Sequence, residues 1–112
     1  MNANNSTKAN GTEIFYSSYN NDMNDSGLCS TRLAKTLAEN ISYFMETKNR
    51  GVSNSEFVVV KYNTVPAVLI ELAFMTNQAD LAKITDPEYQ LKAAIAIYLS
   101  VVEIFELFPT GR

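Results

Sequence analysis

The run Ala67-Val68-Leu69-Ile70-Glu71-Leu72-Ala73-Phe74 constrains this chain more than any other stretch. It is apolar throughout except for one carboxylate, the pattern of a strand covered on both faces. Covering such a strand calls for a layered α/β arrangement. An unpaired carboxylate inside it carries a desolvation cost of several kcal/mol in order of magnitude. Glu71 is therefore an edge residue, a partner of Lys61 or Arg50, or a working group. It lies toward the C-terminal end of its strand, where open α/β sheets place their ligand crevice. A carboxylate at such a place is suited to general base work.

The rest of the chain reads as alternating elements. Residues 1–11 are polar and rich in Asn, a loop. Thr12 to Ser18 is enriched in β-branched and aromatic residues and predicts a first strand. Turn-forming Asn and Asp residues from Tyr19 to Asp25 lead into a long helix over roughly residues 26–47. Its apolar face holds Leu33, Ala34, Leu37, Ala38, Ile41, Phe44 and Met45, and Gly51 follows to relieve the backbone after the last turn. Glu56 to Tyr62, with its three consecutive valines, predicts a second strand, and Ala67 to Phe74 a third. Only Asn63 to Pro66 separate these two, so adjacent placement would be antiparallel. The first two strands flank a helix, which suggests a parallel βαβ unit. Asn77 caps a short helix through Ile84. A last helix opens at Thr85-Asp86-Pro87-Glu88, through either a Thr85–Glu88 capping box or Asp86 followed by Pro87. Leu91, Ala94, Ile95, Tyr98, Val101, Val102 and Phe105 form its predicted apolar face. The order β-α-β-β-α-α is of the α/β class, with a partial mixed or parallel sheet flanked by helices. The third strand asks for more cover than two main helices supply, a hint that part of the domain is missing.

Composition removes several functions. Nine Lys and Arg against 12 Asp and Glu give a formal charge of −3, which is no nucleic-acid footprint. The longest apolar stretch, Ala93 to Val102, is broken by Ser100 and too short to span a bilayer. The N-terminus has no charged or apolar leader, so no signal peptide is expected. One Cys excludes an internal disulfide framework. Cys29 lies in the first turns of a helix and reads as a small apolar residue. The absence of His removes any His-based general base, Ser-His triad or Zn–His site built from this chain alone. Arg50, beside Gly51, either binds a carboxylate or pairs with an acidic neighbour.

Pro66-Ala67-Val68-Leu69-Ile70-Glu71-Leu72-Ala73-Phe74-Met75-Thr76-Asn77 is similar to the signature of the zinc-dependent N-acetylmuramoyl-L-alanine amidases of the amidase 3 type. Gly11-Thr12-Glu13, Leu33-Ala34, Asn49-Arg50-Gly51-Val52 and Asp86-Pro87-Glu88-Tyr89-Gln90 match the same family in the same order. The resemblance implies that residues 1–112 are the C-terminal part of a single amidase 3 catalytic domain, with a fold like the C-terminal half of that phosphorylase/hydrolase-like sheet. It implies cleavage of the amide between N-acetylmuramic acid and L-Ala of the peptidoglycan stem peptide, with Glu71 as proton shuttle. Arg50 is a motif match for substrate contact or support.

The departures are equally specific. In the family, two His and one Glu hold Zn²⁺, and those motifs are absent here. Asn2-Ala3 resembles the end of a His-x-Asn-Ala motif, so the family His would fall immediately before Met1. The resemblance thus implies Zn²⁺ in the complete domain, no metal ligand and no bound metal in this chain alone, and a separate N-terminal half as partner beside peptidoglycan. It places the family outside the cytoplasmic membrane. The other reading is a non-catalytic remnant that serves as a peptidoglycan-binding or protein-interaction module. Catalytic zinc normally needs three protein ligands, most often imidazole. Calorimetric titration of the 112-residue chain with Zn²⁺ is expected to show no stoichiometric site tighter than about micromolar. A tighter site would overturn that expectation.

Overall fold

The computed structural model describes residues 1–110. Strand β1 (Thr12–Tyr16) is followed by a 3₁₀ turn at Ser18–Asn20, helix α1 (Ser30–Met45), strand β2 (Asn49–Asn54), the one-turn helix α2 (Val58–Lys61), strand β3 (Leu69–Glu71), helix α3 (Gln78–Ile84) and helix α4 (Pro87–Leu107). The sheet order is β2-β1-β3, with β1 parallel to β2 and antiparallel to β3. The mixed α/β class expected from the sequence is therefore present.

Strand β1 alternates. Thr12 and Ile14 are buried toward α1, whereas Glu13 and Phe15 point to the other face. Ile14 lies at the centre of a core with Ala34, Leu37, Ala38, Ile41 and Met45 of α1, Ala73, Ile84, and Ala93 and Ala96 of α4. Burial of the α1 residues follows the predicted helical spacing.

Several boundaries differ. Helix α1 begins at Ser30 rather than Ser26, because the Asn24 side chain holds Ser26 to Leu28 in a turn through bonds to the Ser26 and Leu28 N–H groups of 3.1 and 3.0 Å. Its end is marked by Glu46 in the left-handed region (φ 54°), not by Gly51. The second strand is not Glu56–Tyr62 but the polar stretch Asn49–Asn54, an edge strand that satisfies its backbone on β1. The valines instead enter α2, where Val60 is buried and Val58 and Val59 are exposed. Tertiary pairing overrides β propensity here. The third strand is shorter than Ala67–Phe74, since only Leu69–Glu71 pair with β1. It does not neighbour β2, because β1 lies between them, so the antiparallel pair is β1 with β3. The parallel βαβ unit is present with the corrected β2.

The caps of the last two helices resolve simply. Asn77 accepts from the Asp80 N–H at 3.0 Å at the start of α3. Of the two alternatives for α4, Asp86 is the cap, accepting from the Glu88 N–H at 2.9 Å with Pro87 in the first turn.

Helix α4 corrects the predicted face. The residues turned to α1 and the core are the small Ala93, Ala96 and Ser100 together with Ile104. Small side chains let the helices approach closely, and Asn40 of α1 donates to Ser100 Oγ at 2.9 Å. The predicted stripe lies outside, with Leu91, Tyr98 and Phe105 at 61, 67 and 60 % exposure and Ile95 and Val101 also exposed. Ala93 to Val102 is apolar nearly all round, so periodicity could not distinguish the face used from the face left over. Among the described residues, no helix is long and apolar enough to cross a membrane.

A contiguous apolar stripe on a small chain drives association. The isolated chain is expected to self-associate, and Tyr98→Glu to reduce light scattering without lowering the melting temperature. Scattering that is absent, or unchanged by the substitution, would assign the stripe no role in association.

Candidate active site

Glu71 ends β3, and its register partner on β1 is Glu13. Directly opposed residues of an antiparallel pair share a face, so two carboxylates stand together on the side of the sheet away from α1. Like charges placed this way repel, and the neighbouring groups answer that repulsion.

Glu13 has two hydrogen-bond donors and one ionic partner. Ser53 Oγ donates to Oε2 at 2.9 Å, the Asn2 side-chain amide reaches Oε1 at 3.5 Å, and Arg50 Nε lies 3.8 Å from Oε1. Arg50 arrives through a bulge. Thr12 pairs with Asn49 and Ile14 with Val52, so Arg50 and Gly51 both face the single residue Glu13. Gly51 takes φ +83°, which a side chain resists, and this turns the strand so that Arg50 is aimed at Glu13. The guanidinium also donates to the Asn10 carbonyl at 3.3 Å and lies 4.8 Å above the Phe74 ring.

Glu71 pairs with neither Lys61 nor Arg50. Lys61 is near Glu56 at 3.7 Å, and Arg50 is near Glu13. The Met1 α-ammonium stands 2.9 Å from the buried Glu71 Oε2 and is its ionic partner. Both carboxylate side chains are largely shielded, at 17 % exposure for Glu71 and 15 % for Glu13. The N-terminal segment is seated at this edge by its backbone. Asn2 N–H donates to the Ala73 carbonyl and Met75 N–H to the Asn2 carbonyl, at 2.9 and 2.8 Å, making a parallel bridge to Phe74.

The arrangement brings together Glu71 and Arg50, the two residues singled out in the sequence, through Glu13. In the sequence Glu13 is a match to the family motif Gly11-Thr12-Glu13 and carries no assigned role. The signal was present: Thr12-Glu13-Ile14-Phe15-Tyr16 sets a carboxylate on the outward face of an alternating strand. Cys29 stands apart as the N-cap residue of α1. Burial pushes its thiol up, but hydrogen bonds from the Thr31 hydroxyl and the Arg32 and Thr31 N–H groups, with the Arg32 charge, outweigh this and lower it overall.

A cavity of about 320 Å³ lined by Lys35, Ala38, Glu39, Asn49, Gly51 and Val52 lies on the α1 side of the sheet, away from Glu71. Among the described residues, no three His, Cys, Asp or Glu side chains gather. Glu13 and Glu71 are two carboxylates, and the chain has no His, so its own residues do not fit a catalytic zinc site.

The mixed α/β sheet carries two shielded carboxylates side by side on one face, and comparison with known proteins gives its family. The model of the N-acetylmuramoyl-L-alanine amidase family, amidase 3, matches residues 1–103. The chain belongs to that family of cell-wall hydrolases. It is 36 % identical over 104 residues to the N-acetylmuramoyl-L-alanine amidase LytC of Bacillus subtilis, covering 93 % of this chain and 20 % of LytC. It is 40 % identical over 89 residues to YqiI of the same organism, covering 80 % of this chain and 41 % of YqiI. An N-acetylmuramoyl-L-alanine amidase from Clostridium difficile 630 superposes with a TM-score of 0.83 at 28 % identity, covering 99 % of this chain and 56 % of that one. The amidase CwlD of Clostridioides difficile, solved with the GerS lipoprotein, superposes with a TM-score of 0.81 at 29 % identity, covering 96 % of this chain and 52 % of that one. The chain thus spans about half the length of these solved amidases and less than half of the two curated relatives.

Gly11 ties the site to the fold. Its φ is +111°, and a Cβ there would come 2.5 Å from the Lys48 carbonyl oxygen and 3.1 Å from Arg50 Cγ. Gly11→Ala is expected to lower stability by roughly 1–3 kcal/mol, measured by urea denaturation. It should cost more than Gly51→Ala, where a Cβ meets nothing within 4 Å. An equal or smaller cost at Gly11 would show that the turn relaxes freely.

Proposed function

We propose that this chain is the Glu71-bearing part of an amidase domain that hydrolyses the amide between N-acetylmuramic acid and L-alanine of the peptidoglycan stem peptide. One observation carries the reading. The carboxylate in the family-matching strand stands shielded at the end of β3, opposite Glu13, at the edge where the sheet receives the N-terminal segment. A carboxylate so shielded is suited to take a proton from an attacking water and return it to the leaving amine, so that the amide breaks into a carboxylic acid and an amine. Arg50, held over Phe74 and beside Glu13, offers a fixed cation for the substrate.

The peptidoglycan substrate, action outside the cytoplasmic membrane and the Zn²⁺ of the complete domain come with this reading. The zinc ligands would come from a separate N-terminal half. Three features support a complementary half. The Asn2–Phe74 bridge extends the sheet past β3, the β3 residues are only half-buried, and the outer stripe of α4 is uncovered. A second reading is a non-catalytic peptidoglycan-binding or interaction module.

The test joins the chain to the upstream half of an amidase domain and measures release from purified peptidoglycan. Glu71→Gln keeps the size and removes the base, so it should cut turnover by ~10²–10⁴-fold with the fold intact. The isolated chain should be inactive. Near-normal turnover per folded Glu71→Gln molecule would remove Glu71 from the chemistry.

A further inference from the structure

Asp80 is a buried carboxylate that the site described above does not use, with 5 % of its surface exposed. It occupies the first turn of α3, three residues after the cap Asn77. In a capping box the acidic residue at that position reaches back to the N–H of its own cap residue. Here that N–H is taken by the Phe74 carbonyl at 3.2 Å. Asp80 Oδ2 turns the other way and accepts from the Gly11 N–H at 2.8 Å and the Phe74 N–H at 2.9 Å. Both donors are buried, and neither belongs to α3.

The two donors flank the site. Gly11 stands two residues before Glu13 at the start of β1, and Phe74 three residues after Glu71 beyond the end of β3. Because β1 and β3 are antiparallel, both lie at one end of the sheet. Phe74 also carries the Arg50 guanidinium on its ring and forms the backbone bridge that receives Asn2. One carboxylate oxygen therefore joins the chain ends that deliver Glu13, Glu71, Arg50 and the N-terminal segment. Burying a charge is costly unless hydrogen bonds answer it, and bonds to a charged acceptor are roughly twice as strong as neutral ones.

We propose that Asp80 is a positioning residue for the Glu71 site, clamping the entry to β1 and the exit from β3 so that the two carboxylates and Arg50 keep their spacing. Its geometry stands alone, while its importance to hydrolysis rests on the amidase reading.

The test is amide hydrogen exchange and NOE measurement by NMR on the full 112-residue chain, with the α1 amides as the reference for global stability. Asp80→Ala leaves two buried N–H groups unpaired. It should speed exchange at Gly11 and Phe74 at least about tenfold relative to α1. It should also weaken the Arg50–Phe74 and Glu13–Glu71 contacts, which a residue serving only α3 would not move. Asp80→Asn, which keeps an acceptor oxygen but loses the charge, should restore most of the protection and leave a smaller selective rise. Exchange at Gly11 and Phe74 that changes only in step with α1 would overturn the proposal, as would intact site contacts in a folded Asp80→Ala chain. If Asp80→Ala does not fold, Asp80→Asn decides. A selective rise at both amides supports the clamp, and no selective change overturns it. None of these readouts requires hydrolysis, so failure of the amidase reading would show in the peptidoglycan assay and not here.

Discussion

The pairing of β1 on both of its edges is the constraint from which the rest of the structure follows. Thr12 and Ile14 on one face anchor the core under α1, while Glu13 on the other face meets Glu71 and Arg50. One five-residue strand therefore carries both the apolar and the charged halves of the molecule. A shift of one residue in its register would exchange them, burying a carboxylate and exposing Ile14. Thr12 adds a lock against such slippage, since its buried hydroxyl donates to the Leu72 carbonyl at 2.9 Å and lies 2.6 Å from the Thr47 hydroxyl.

Polar groups at the end of the sheet are arranged by backbone devices more than by side-chain complementarity. The bulge at Arg50-Gly51 re-aims a cation, the left-handed Gly11 lets β1 begin against the Lys48 carbonyl, and Asp80 gathers two buried N–H groups. The strand edge beside Glu71 is occupied by the short N-terminal segment, bridged through Asn2 to Phe74.

Much of the candidate site was legible. Glu71 stood out because a carboxylate in an apolar strand is costly, and Arg50 because its motif accompanies that strand. Glu13 and Asp80 were harder to see, since their roles depend on partners 58 residues away for Glu13 with Glu71, and 69 away for Asp80 with Gly11. Among the elements, α1 was read well from its spacing, and the caps at Asn77 and Asp86 were read from local chemistry. The valine run failed as a strand because the neighbouring polar segment already occupied the edge of β1.

By itself the sequence determined the α/β class, the helix spacing of α1, the caps, and the costly carboxylate at Glu71, because each depends on residues close together in the chain. Tertiary structure decided which segment became β2, which face of α4 was buried, and how Glu13, Arg50 and Asp80 converge. Those outcomes turn on competition. Asn49–Asn54 takes the edge of β1 despite weak propensity because pairing satisfies its backbone, and Ala93, Ala96 and Ser100 face α1 despite a more apolar stripe elsewhere because small side chains pack closely.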